Sequence, residues 1–400
     1  MELKIQTKNA LFLGSLCSLI YLTVYISRNV LSAVSPEMLT NKIFDENIIG
    51  TMSSIFFFSY AVGQLLNGLL GDIIHSKYMI SIGLIAAGAS SFIIPELNQG
   101  MYIYILYGIM GFALSMIYGP MTKTIDENTT HGYAVKCNLG LNFSSYFGAP
   151  IAGLLAIIFV WKATFKASGL LLVAFGIVCY VLFTYFENKN IITHSQHRKN
   201  TKSNSFLRSI KTLVERSIIK FSIVSILTGI IRTSVMFWLP TYLLQYLSFN
   251  ERQSTTIFTV ISLIISIGSF AAAFIYKLLK NSINKTLLFS FALSAVLFLA
   301  TVIVKHEIVN IILLVLAIMA SNCAATMMWS FYCPSLADTG LVSSATGYLD
   351  FISYMSAAIS SKLFANAVGG IGWGGLIMVW FALMLIGVII SIPYKKRCDV

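Results

Sequence analysis

The sequence predicts an all-α membrane protein with about twelve transmembrane helices in two six-helix bundles. Three observations carry that reading. The first is composition. Of 400 residues, 57% are hydrophobic and only 10% charged, with a mean hydropathy of +0.82, where soluble domains carry roughly a quarter charged residues. A bilayer accepts such a chain if every backbone polar group is bonded inside helices or a closed barrel. The second is run length. Barrel strands alternate over about ten residues, but here the apolar runs are long and unalternated, such as Ile257–Ile275 and Thr286–Val304. About twenty apolar residues cross the hydrocarbon core as a helix. The third is a single polar interruption, Glu187–Arg216, rich in Lys, Arg, Ser, Asn and Thr, which divides the runs six and six.

The elements follow in order. Met1–Asn9 is short and basic, and the apolar run behind it shows no A-x-A-like cleavage site, so it reads as a retained first helix over 10–34. Further helices are expected at 48–71, 78–95, 101–121, 132–160 and 164–186, and then at 218–247, 254–278, 286–304, 308–332, 341–368 and 373–393, with Gly369–Gly375 as a tight turn joining the last two. This gives an N-terminal bundle (1–186), a linker (187–217), a C-terminal bundle (218–394) and a tail (395–400). Putting the N-terminus inside leaves about 19 Lys and Arg in or beside cytoplasmic segments and about five in or beside outer loops (Lys42, Lys162, Lys166, Arg252 and Lys305). The asymmetry places both termini in the cytoplasm.

Several function classes fall away on the same composition. The net charge of +12 is spread through short links between apolar runs, which argues against nucleic-acid binding. The linker's Arg198, Lys199 and Lys202 read as a lipid-facing or topology-setting cluster. Six scattered cysteines make no CxxC pair, and the five histidines fall in or beside loops, so neither a disulfide framework nor a metal site is expected. No Walker loop, Rossmann fingerprint or nucleophile elbow appears in a suitable context. The expectation is a non-enzyme without cofactor, driven by a solute gradient.

The chemistry concentrates on two arginines. Arg28 lies eight residues before Pro36, and Arg232 eight before Pro240; the pattern Arg-x7-Pro-x-x-Leu opens each half of the chain. Eight residues span about 12 Å of helix, so each arginine is expected near the membrane midplane. A charge there costs roughly 2.5–3.5 kcal/mol on insertion scales and must face a cavity or a partner. A salt bridge to an intramembrane acid is one answer, and Asp350 is the main candidate. One acid does not neutralise both arginines and Lys362, which favours a cavity receiving an anion. Guanidinium suits phosphate because its fork of donors bonds two oxygens at once. Tyr21 and Tyr25 share the Arg28 side of their helix, at seven and three residues before it; the competing reading places them in the interfacial aromatic belt.

Two parallel repeats opening on the same motif resemble the halves of major facilitators, which hold substrate at mid-depth between their halves. More narrowly, Ile231-Arg232…Trp238-Leu-Pro-Thr-Tyr-Leu243 resembles the helix 7 signature of the organophosphate:phosphate antiporters. Tyr21-x3-Tyr25-x2-Arg28, Tyr60-x3-Gln64-x3-Gly68-x3-Asp72, Tyr118-Gly119-Pro120, Asn138-x3-Asn142 and Gly347-x6-Tyr354 are similar to the same family's patterns. The resemblance implies an antiporter that works by alternating access. It exchanges an organic phosphate, or a similar small organic anion, for inorganic phosphate, with Arg28 and Arg232 gripping the phosphate. Tyr21, Tyr25, Tyr60, Gln64, Tyr118, Asn142, Tyr354 and Lys362 would shape the pocket. It also implies a monomer, and the Lys-, Asn- and Ile-rich composition points to a bacterial plasma (inner) membrane. Gly68-x3-Asp72…Lys77 resembles the cytoplasmic loop motif of major facilitators, with Ile73 where a basic residue is usual, and gives Asp72 a gating role.

The departures bear on substrate. Gln64 stands where glycerol-phosphate carriers have Lys, and Leu141 where they have His, while Lys362 adds a cation that either lines the cavity or snorkels to an interface. Two alternatives remain open. One is a proton- or sodium-coupled symporter of another organic anion with Asp350 as the coupling residue, and the other a non-transporting sugar-phosphate sensor.

Overall fold

The computed structural model describes residues 2–70, 74–97, 100–189, 191–192, 206–268, 271–336 and 342–392. Their helices are α1 (Glu2–Thr40), α2 (Glu46–Leu70), α3 (Ser76–Ile93), α4 (Gly100–Ser115), α5 (Tyr118–Asn128), α6 (His131–Ile158), α7 (Trp161–Asn188), α8 (Phe206–Glu215), α9 (Ile218–Gly229), α10 (Met236–Gln245), α11 (Glu251–Gly268), α12 (Ala271–Leu278), α13 (Ile283–Ile303), α14 (Glu307–Met327), α15 (Cys333–Ser335) and α16 (Val342–Ser391). Among the described residues nine helical stretches are long and apolar enough to cross a membrane, and ten if the bent pair of α11 and α12 is one span. The apolar part of α6 is shorter, Phe143–Ile158. The last stretch is two helices run together across Gly372. With α6 and both parts of the last stretch counted as spans, the described residues are consistent with twelve spans.

Prolines explain most departures from the expected boundaries. α1 was expected to stop before Pro36, yet it runs on to Thr40. Proline has no N–H for the carbonyl four residues back, which here is that of Ser32. The Ser35 hydroxyl donates to the Ser32 carbonyl oxygen at 2.8 Å and takes over that role. The fourth span breaks at Met116–Ile117, four residues before Pro120, into α4 and α5. The π-helical turn Met328–Tyr332 ends two residues before Pro334, and a second one, Ile230–Val235, lies between α9 and α10, just over one turn before Pro240.

The chain packs as two compact units, Met1–Asn200 with Phe237–Leu263, and Thr201–Met236 with Ile264–Val400. In the first unit small residues let backbones approach, as helix association in lipid requires. A Cβ on Gly88 would strike the Gly169 carbonyl, one on Gly169 the Gly88 carbonyl, and one on Gly148 the backbone of Tyr25, so α3 meets α7 and α6 meets α1 nearly backbone to backbone. Ser32 donates to the Phe237 carbonyl at 2.7 Å, and Thr255 to that of Ala33 at 3.4 Å, tying α10 and α11 to α1. In the second unit α9 lies alongside α16. Ser225 donates to the Leu349 carbonyl at 2.6 Å, Gly229 abuts Ser353, and Ser234 donates to the Ala357 carbonyl at 3.1 Å. Both members of each pair advance together, so the two helices run parallel. Large apolar side chains such as Phe274, Leu278 and Ile303 are exposed, which is the surface a helical protein shows to lipid rather than water.

Candidate functional site

In the first unit the structure gathers Arg28, Tyr21, Tyr25, Tyr60 and Tyr118. Tyr21, Tyr25 and Arg28 fall on one face of α1 because they are spaced by four and three residues. Arg28 is half-buried. Its guanidinium carbon lies over three rings, 5.2 Å from the centroid of Tyr25, 5.2 Å from that of Phe57 and 5.4 Å from that of Tyr60. Tyr21 continues the aromatic wall, 5.0 Å from Tyr25 edge to face and 5.3 Å from Tyr118 on α5. Behind the cage, Phe56 stacks on Tyr60 at 6.2 Å and leans on Tyr107 at 5.4 Å. The Asn29 amide donates to the Tyr25 carbonyl at 2.7 Å, and the close pass of Gly148 holds α6 against Tyr25.

Magnitudes show why this arrangement suits a membrane arginine. Each cation–ring contact is worth about 0.5–2 kcal/mol depending on desolvation. Three together are of the same order as the roughly 2.5–3.5 kcal/mol that insertion scales charge for arginine. Rings cover the face of a guanidinium, whereas its N–H donors lie in the plane and point outward at the edge. An aromatic cage therefore steadies the charge from the faces of the guanidinium, while its N–H donors lie at the edge.

In the second unit Arg232 sits exposed within the π-helical turn Ile230–Val235. Such wide turns are rare and recur at functional sites. Two residues on, Ser234 anchors the turn: its hydroxyl is 2.6 Å from that of Ser360 and 3.3 Å from that of Ser361. Tyr354 is buried, while Asp350 and Lys362 are half-buried. The register of α9 on α16 puts Asp350 near the level of Ser225, below Arg232, and Lys362 beyond the level of Ser234. Asp350 and Lys362 are therefore about 18 Å apart along the helix.

Gln64 is half-buried on α2, one turn beyond Tyr60. Asn142 lies on α6, but its side chain is outside the described residues, and Asp72 is wholly outside them. The neighbouring Lys77 pairs with Glu187 at the end of α7, both side chains mostly shielded at 12% and 18% exposure. Sequence reasoning missed that pair, the ring of Phe57 and both π-turns. Phe57 had one available signal: it lies three residues before Tyr60, hence on the same helical face.

Comparison with known proteins adds the following. The family model described as Major Facilitator Superfamily matches residues 17–361. The membrane sensor protein UhpC of Salmonella typhimurium is 22% identical over 162 residues, covering 40% of this chain and 37% of that protein. The glucose-6-phosphate exchanger SLC37A2 of Xenopus tropicalis is 26% identical over 171 residues, covering 40% of this chain and 34% of that one. The chain thus spans little more than a third of the length of either relative. Among solved structures, the xylose transporter XylE from E. coli in a partially occluded inward-open conformation superposes with a TM-score of 0.74 at 12% identity, covering 97% of this chain and 100% of that one.

Proposed function

The chain belongs to the Major Facilitator Superfamily, and from that premise we propose that it is a secondary transporter exchanging an organic phosphate, or a similar small organic anion, for inorganic phosphate. The observation that carries the reading is the aromatic cage around Arg28, with its three ring contacts at 5.2–5.4 Å. Such a cage suits a guanidinium that must stay ionised and oriented in a low-dielectric setting while an oxyanion comes and goes. Arg232, exposed on its π-turn, is the matching cation from the second half of the sequence. Tyr21, Tyr25, Tyr60, Gln64, Tyr118, Asn142, Tyr354 and Lys362 complete the proposed binding set, with Asp350 and Asp72 in coupling and gating. The similarity to a glucose-6-phosphate exchanger supports the phosphate-bearing substrate class. The working unit is a monomer in the plasma membrane. Its bundles span 1–186 and 218–394, and both termini are cytoplasmic in keeping with the Lys and Arg distribution.

The test is exchange of labelled inorganic phosphate in proteoliposomes preloaded with phosphate, with Arg28→Ala and Arg232→Ala alongside. Rapid exchange in the parent, lost in both variants, is the expected outcome. A folded parent that exchanges no phosphate sinks the reading. Uptake that follows a pH gradient and disappears in Asp350→Asn would point to a symporter of another anion instead. A second reading has one observation in its favour, the similarity to a membrane sensor protein. A sensor binds phosphate compounds without flux, so saturable binding without exchange would select it.

A further inference from the structure

The linker contains a helix that the transport reading leaves unused. α8, Phe206–Glu215, is joined to the first residue of the next span, Ile218, by only Arg216 and Ser217. Ser217 adopts the left-handed conformation (φ 65°, ψ 27°), which turns the chain sharply where α8 meets the span. The turn is pinned from the other side, because the Tyr332 hydroxyl donates to the Arg216 carbonyl at 3.0 Å. An element two residues from the start of a membrane span is held at the membrane–water boundary, and α8 is about 15 Å long.

Its sequence suits that boundary. Phe206, Leu207, Ile210, Leu213 and Val214 fall at i, i+1, i+4, i+7 and i+8, within an arc of about 120°. Arg208, Lys211 and Glu215 occupy the opposite arc. Val214 is 45% exposed, and Ile219, the second residue of the span, is 60% exposed, so the apolar surface continues from the helix onto the lipid-facing side of α9. Charge gives the identity of the partner. Lys220 donates to Asn284 at 2.7 Å, which brings the start of α9 to the start of α13. The same end of the second unit then carries exposed Lys277, Lys280 and Lys285 beside Lys211 and Arg216.

We propose that α8 is a surface anchor that lies in the bilayer interface, its apolar stripe among the acyl chains and its basic side on anionic lipid headgroups. Basic amphipathic helices bind this way, with burial and charge both needed for a short segment. The anchor fixes the end of the linker to the membrane beside α9.

The test uses the full chain carrying Cys398→Ser, because the five described native cysteines are buried. A spin label is placed at Val214→Cys on the stripe or at Lys211→Cys on the polar side, and collision with oxygen is compared with collision with a water-soluble nickel chelate. In vesicles with about one-third phosphatidylglycerol, the oxygen-to-nickel ratio is expected to be at least about threefold higher at 214 than at 211. The difference should shrink in pure phosphatidylcholine and in an Arg208→Gln, Arg216→Gln variant. Equal, water-like ratios at both positions would overturn the anchor. A label at 214 shielded from both reagents would mean that protein covers the stripe, and would overturn it equally. An undiminished difference in pure phosphatidylcholine would overturn the headgroup specificity.

Discussion

At the scale of single residues, Arg28 gives the sharpest expectations. Arg28→Lys keeps the charge but loses the planar fork and the ring stacking. It is expected to raise the KM for phosphate exchange at least about tenfold, since a lysine makes only point contact with an oxyanion. Phe57→Leu removes one ring and keeps the bulk. A contact worth about 0.5–1 kcal/mol corresponds to a KM increase of about two- to fivefold, with the thermal midpoint little changed; the same exchange assay reads both variants. Lys77 belongs to a different mechanism, because its pair with Glu187 is shielded from solvent. Lys77→Ala removes this shielded pair and is expected to cost about 1–3 kcal/mol. Removing both partners should cost less than removing Lys77 alone, as a double-mutant cycle by thermal unfolding in detergent will show. Tyr21 and Tyr25 were legible in the sequence because four- and three-residue spacings fix a helical face, while Tyr60 and Tyr118 were named only by the family resemblance. Phe57 was not, because periodicity within one helix does not say which residue of the next helix it meets.

At the scale of elements, the informative positions are the interruptions. Gly372 holds φ 66° and ψ 176° inside α16, a backbone region that essentially only glycine occupies. A Cβ there would meet nothing within 4 Å, and the same holds at Gly374, so a comparison of the two isolates the backbone from packing. Gly372→Ala is expected to cost about 1–3 kcal/mol, and Gly374→Ala, at a helical position, to be neutral or slightly stabilising. Equal thermal shifts for the two would contradict this account. A turn around Gly369–Gly375 was readable from the glycines, but the sequence did not indicate that a single residue makes the break. Likewise Pro36 suggested a helix end that the Ser35 hydroxyl cancels, and neither π-turn has a sequence signature. α8 was hidden for another reason: 23 of the 30 residues in 187–216 are polar, and they mask a ten-residue helix with an apolar stripe.

At the scale of the whole molecule, the helical architecture was legible because a long apolar run in lipid has essentially one solution, a helix, and the split of six and six suggested a repeat. The proposed site was only half legible: the two arginines announced themselves by their cost in lipid, while their surroundings are a product of packing. One prediction belongs to this scale. If a cation from each half awaits an anion, the empty carrier reorients slowly. Efflux of labelled phosphate into anion-free medium should then be at least about tenfold slower than into phosphate-containing medium, a barrier difference of about 1.4 kcal/mol or more. Equal rates would make the protein a uniporter. The glycine break in α16 also bears on how the chain enters the membrane. The last two spans meet at one residue, with no hydrophilic loop for the insertion machinery to retain on either side. After Lys362 the next basic residues are Lys395, Lys396 and Arg397, so the charge signal for the final span arrives only once the whole segment has been synthesised. The pair is therefore expected to be committed together, as a hairpin partitioning sideways into lipid, with its orientation read from the basic cluster that follows it.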